Sequence, residues 1–140
     1  MSSDENKSSD LFEFKTPQAA TRAKMLVPKL IDIMAEMYSW AVERNLPFVV
    51  TETVTTEKED LALKRTSTSH RERRAFDLST SGWSFDQCRE FVEHFNFKHA
   101  DVAAIAAATG KPTLVVFGDS RHLDHFHVQI HQRFKFILHS

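Results

Sequence analysis

Apolar residues between Thr16 and Asn45 recur every three or four positions, at Met25, Leu26, Leu30, Ile33, Met34, Met37, Tyr38 and Val42. That period stacks side chains on one face of a helix, so the stretch predicts an amphipathic helix with Pro28 at a first turn or a break. The run from Leu46 to Val54 is β-branched and aromatic and is bounded by Asn45 and Pro47, which predicts a strand. Residues 55–65 are polar and charged and predict a connection. A short strand follows over Ala75 to Ser79, ending at the turn signal Ser81, Gly82. Ser84 is placed to cap a second helix carrying Phe85, Cys88, Phe91, Val92 and Phe95 on one face. Residues 101–112 predict a third, short helix closed by Gly110, and residues 113–119 and 125–131 predict two strands with a turn over 120–124 between them. The order of elements predicts an α+β fold, a small antiparallel sheet with helices packed on one side.

Composition narrows the picture. A chain of 140 residues with 41% hydrophobic residues has the size of one domain with a core. Residues 1–10 are almost wholly polar and predict a disordered tail, leaving 11–140 as a single domain. A net charge of -1 supplies no global attraction to nucleic acid or anionic lipid. No apolar stretch reaches the length of a membrane span, and the N-terminus lacks the basic start and apolar run of a secretory signal. The expected protein is therefore made in the cytoplasm and is taken as a monomer with no membrane or nucleic-acid partner. Cys88 is the only cysteine, so a metal site would have to use histidine and carboxylate.

The candidate chemistry lies in two segments. Four of the eight histidines fall between Ser120 and His131. If residues 125–130 form a strand, alternation puts Phe126, Val128 and Ile130 on the apolar face and His125 and His127 on the other. His-x-His alone is a weak signal, since paired histidines are common on solvated strands. Upstream, His70 and Asp77 stand seven residues apart across a loop entering the strand at Ala75. Two histidines and a carboxylate are a known ligand set for a catalytic zinc that keeps a fourth position open. On residues alone, His70 as a solvated loop residue and Asp77 as a turn cap remain alternatives.

The run Thr68-Ser-His-Arg-Glu-Arg-Arg-Ala-Phe-Asp77 resembles the Ser-x-His-x-x-Gly-x-Ala-x-Asp signature of the LAS zinc peptidases, the group of lysostaphin-type enzymes, D-Ala-D-Ala metallopeptidases and hedgehog signalling domains. The segment His122 to Ile130 resembles their second signature, ending in His-x-His. The likeness covers roughly residues 24–131. It implies a hedgehog/DD-peptidase-like fold, zinc as cofactor, His70, Asp77 and His127 as its ligands, Asp124 as the proton acceptor and His122 as a stabiliser of the oxyanion. His125 is expected to line the site. Arginines around the first motif, Arg65 and Arg73 among them, are candidates for binding a substrate carboxylate. Two positions depart from the pattern: Thr68 replaces the family serine, and Arg73 replaces the family glycine.

The resemblance implies an endolysin-like peptidase acting on peptidoglycan stem or cross-bridge peptides, as carboxypeptidase or endopeptidase, in the cell wall or periplasm after a lysis-type release. Two other readings compete. Hedgehog-like relatives bind zinc without hydrolysis, against which stand Asp124 and His122. The basic segment Lys64 to Arg74 could contact nucleic acid, but it lacks the interleaved aromatics that stack on bases.

Overall fold

A computed structural model describes residues 12–117 and 125–135. Among these residues five strands form one sheet in the order β1-β2-β3-β5-β4: β1 is Phe12–Phe14, β2 Phe48–Glu52, β3 Ala75–Ser79, β4 Val115–Val116 and β5 His125–Gln129. Among the described residues four α-helices accompany it: α1 (Pro17–Ala23), α2 (Pro28–Glu43), α3 (Glu57–Ala62) and α4 (Phe85–Lys98). The α+β class holds, with one correction to the sheet, which is mixed rather than antiparallel. β1 runs parallel to β2, because α1 and α2 carry the chain back across the sheet before β2 begins. The β2–β3, β3–β5 and β5–β4 pairs are antiparallel as expected.

Pro28 is the first residue of α2, where its missing N–H costs nothing, so the long predicted helix is two helices. Leu30, Ile33, Met34, Met37 and Trp40 form the buried stripe of α2. Ser84 caps α4 as expected, accepting from the Gln87 N–H, while the Gln87 side chain accepts from the Ser84 N–H. Cys88, Phe91 and Phe95 point inward from α4, but Phe85 and Phe97 do not: they are 67% and 89% exposed. Trp83 is half-buried against the core, stacked on Trp40 and donating from its indole to the Pro47 carbonyl oxygen at 2.8 Å.

Two further expectations give way. Residues 55–65 contain α3, opened by a reciprocal capping box between Thr56 and Glu59. Residues 101–112 form no helix, despite their alanine content. Instead Ala104 donates to the Gln129 carbonyl oxygen, His131 donates to that of Val102, and Ala103 bridges Ile130, so pairing with the end of β5 outweighs local propensity. The last predicted strand regions are shorter than expected. β4 has two residues and is tied to α4 by Asn96, whose amide oxygen accepts from Leu114 and Val115 and whose amide nitrogen donates to Val115.

The core lies on one face of the sheet. Val50, Leu78, Phe126, Phe76 and Val128 are paired in register and fully buried with the stripes of α2 and α4. Burying each such aliphatic or aromatic side chain is worth about 1.5–3 kcal/mol. The alternate residues of β3 and β5 therefore share the other face: Asp77 stands opposite His127 and Ser79 opposite His125. Among the described residues no helix is long and apolar enough to cross a membrane.

Candidate metal centre

Alternation along β5 separates its residues as the sequence predicts, with Phe126 and Val128 buried and His125, His127 and Gln129 half-buried on the opposite face. β3 places Asp77 beside His127, and Asp77 Oδ1 lies 2.9 Å from His127 Nδ1. The third member comes from the turn before β3. Hydrogen bonds from Glu72 to Thr68, from Arg73 to His70 and from Arg74 to Ser69 close this turn, and it delivers His70 into the same place. His70 Nε2 is 3.4 Å from Asp77 Oδ1. One ligand atom from each of His70, Asp77 and His127 lies within 4.8 Å of the others.

Arg73 is central to that turn through its backbone. Its φ is +65°, in the left-handed region that glycine occupies without strain, and its carbonyl oxygen accepts from the Val27 N–H at the start of α2. The family glycine thus falls on a position of positive φ in this chain. Arg73 is not among the residues lining the cleft described below.

The histidine protons are fixed from outside the cluster. His70 Nδ1 donates to the Thr53 carbonyl oxygen at 2.6 Å. His127 Nε2 donates to the Gln129 amide oxygen at 2.7 Å. With those protons so placed, the remaining lone pairs of both rings turn toward the Asp77 carboxylate, and three acceptors meet at one point. Such a meeting is stable only with a cation between them, a proton or a metal ion. Four tetrahedral bonds of zinc length put neighbouring ligand atoms about 3.3 Å apart. The two Asp77 contacts, 2.9 and 3.4 Å, bracket that spacing.

Where a proton is the cation, the same contacts become hydrogen bonds from the rings to Asp77. Burial by itself raises the pKa of Asp77, but hydrogen bonds from His127 and His70, with their positive charge, outweigh it and hold the carboxyl far below the usual range. Burial by itself lowers the pKa of His70, yet the adjacent Asp77 and then Glu52 carboxylates more than compensate, and the net shift is upward.

A cleft of about 580 Å³ adjoins the cluster through Asp77, with walls that also include Lys15, Glu52, Arg65, Ser79 and His125, whereas His70 and His127 do not line it. Two of the three expected substrate-contacting residues, Arg65 and His125, are therefore on this wall. Asp124 and His122 lie outside the described residues. Thr53, Gln129, Glu52 and Lys15 are site residues that the sequence reading missed. Gln129 carried a usable signal, since it stands two residues beyond His127 on the same strand face.

Comparison with protein-family models, with curated proteins and with solved structures finds no match to this chain.

Proposed function

We propose that the chain is a zinc-dependent peptidase that hydrolyses peptidoglycan stem or cross-bridge peptides. The observation that carries this reading is the convergence of His70 Nε2, Asp77 Oδ1 and His127 Nδ1, with the opposite ring nitrogens held by Thr53 and Gln129. Two neutral imidazoles and one carboxylate leave a bound zinc net positive and one position open. A zinc ion so bound supplies a Lewis acid for a peptide carbonyl and brings the pKa of its water toward neutrality.

The chain's own residues would do the rest. The hydrogen bonds from His70 to Thr53 and from His127 to Gln129 orient the rings and select their tautomers. Lys15 puts positive charge on the cleft wall, where it suits the free carboxylates of peptide stems, while the Arg65 guanidinium on the same wall is held by Glu52. Following the resemblance, Asp124 takes a proton from the attacking water and passes it to the departing amine, and His122 donates to the developing oxyanion.

Metal analysis of protein purified without added zinc should give about one equivalent, lost in His127→Ala. Digestion of purified murein by wild type but not by Asp124→Ala then identifies the enzyme, and mass analysis of the released fragments names the bond. Absence of zinc from the wild-type protein would sink the reading. Zinc without digestion of murein would leave a metal-binding module that is not hydrolytic.

A further inference from the structure

Glu52 is a second carboxylate at the cluster, and an irregularity in the sheet brings it there. Val50 pairs with Leu78, but the next registered pair is Glu52 with Asp77, so β2 holds one extra residue between them. Without it Glu52 would share the inward face of Val50. The bulge reverses that parity and turns Glu52 to the face of Asp77. Glu52 Oε1 then lies 3.5 Å from His70 Nε2, nearly the same distance as Asp77 Oδ1 from that nitrogen.

Glu52 does not belong to the three converging ligands. It is also the most open of the group: its side chain is 27% exposed, against 12% for Asp77 and 8% for His70. Arg65 holds it through two contacts, Nη1 to Oε1 at 2.7 Å and Nη2 donating to Oε2 at 3.1 Å. The buried Asp60 carboxylate stands 3.6 Å behind the same guanidinium and accepts from Thr55. A carboxylate fixed by a bulge and a two-point arginine contact is held in one orientation, with its buried Oε1 on the side of His70 Nε2.

We infer that Glu52 is a positioning residue of the metal centre, an outer carboxylate on its open side that strengthens the hold on a divalent cation without ligating it. This inference rests on the metal-binding reading of His70, Asp77 and His127. Removing an outer partner of this kind weakens metal affinity by about 10- to 100-fold.

The test measures zinc affinity of the full chain by competition with a chromogenic chelator, for wild type, Glu52→Gln and Glu52→Asp. Melting of the metal-free proteins reports folding separately, and the cobalt(II) spectrum reports the ligand set. The expected result is an affinity about 10-fold or more weaker in Glu52→Gln, partly recovered in Glu52→Asp, with an unaltered cobalt(II) spectrum and a change in metal-free melting too small to account for the loss of affinity. Equal affinity in Glu52→Gln and wild type would overturn the inference. A changed cobalt(II) spectrum would overturn it too, by making Glu52 a ligand, and a matching loss of metal-free melting temperature would reduce Glu52 to a structural residue. A wild-type protein that takes up neither metal refutes the metal reading itself, which is a separate result.

Discussion

His127 on β5 and Asp77 on β3 are register partners across an antiparallel pair, and their side chains meet at 2.9 Å on the face of the sheet turned away from the core. Neighbouring strands bring these two residues together through backbone pairing. The third, His70, depends on a turn. The three positions therefore differ in what holds them, and that difference can be measured.

Gln129 should matter to metal binding through its contact with His127. Its amide oxygen accepts from His127 Nε2 and so keeps the lone pair of Nδ1 turned inward. Gln129→Leu is expected to weaken zinc affinity by about 10-fold or more while leaving the far-ultraviolet circular dichroism unchanged. An affinity equal to wild type would show that the His127 tautomer is set by something else.

The melting temperature of the metal-free protein and the increment that zinc adds to it should change with pH in opposite directions. Asp77 is depressed, so its contribution is present above the ordinary carboxylate pKa of about 3.9 and is lost as pH falls through the lower folded value. His70 is raised, so its contribution is complete below about 6.5 and is lost as pH rises through the higher folded value. Metal-free protein should accordingly melt at lower temperature as pH goes from 6.5 upward. Zinc requires neutral imidazoles, so the increment in melting temperature caused by zinc should grow over the same range. Parallel curves with and without zinc would contradict the assignment of His70 as a ligand.

Arg73 offers a stability test of the turn that presents His70. A non-glycine residue in the left-handed region costs about 1–2 kcal/mol, partly offset by the greater chain entropy glycine gives up on folding. Arg73→Gly should therefore stabilise the protein by up to about 1 kcal/mol in urea unfolding, and Arg73→Ala should not. A clear loss of stability in the glycine variant would mean that the arginine side chain contributes more than its backbone strain costs.

The two faces of α4 can be told apart by paired substitutions. Phe91 is fully buried among Trp40, Trp83 and Phe126, and Phe91→Ala should cost about 3–5 kcal/mol. Phe97 is 89% exposed, and Phe97→Ala should stay within about 0.5 kcal/mol of wild type. Comparable losses at both positions would mean that α4 is rotated relative to the face described.

Local signals served well where one period dominates. The helical spacing from Leu30 to Met37, the cap at Ser84 and the alternation from His125 to Gln129 each specify an element and its buried side. The Thr56–Glu59 capping box was equally visible, but the charged residues around it masked a six-residue helix. Phe85 and Phe97 fit an aromatic pattern without fitting the buried stripe of α4. Residues 101–112 looked helical because alanine favours helices, whereas their structure is decided by partners on β5 that no local rule can supply. The same limit applies at the site. His70, Asp77 and His127 are grouped only by the resemblance of their two segments to a known signature, and Glu52 could not be, because a strand bulge reverses the parity by which a sequence is read.

The register between Asp77 and His127 also bears on the chain as a polymer. Fifty residues separate the two, and Cys88, without a partner cysteine, can form no disulfide within the chain. An ion shared by these side chains would act as a removable cross-link closing that loop. In the loop-entropy picture a tie of this length restricts the unfolded ensemble by about 4 kcal/mol where it persists on unfolding. A chain built this way would exchange a permanent covalent staple for one governed by the concentration of free metal, and chelation alone would loosen it.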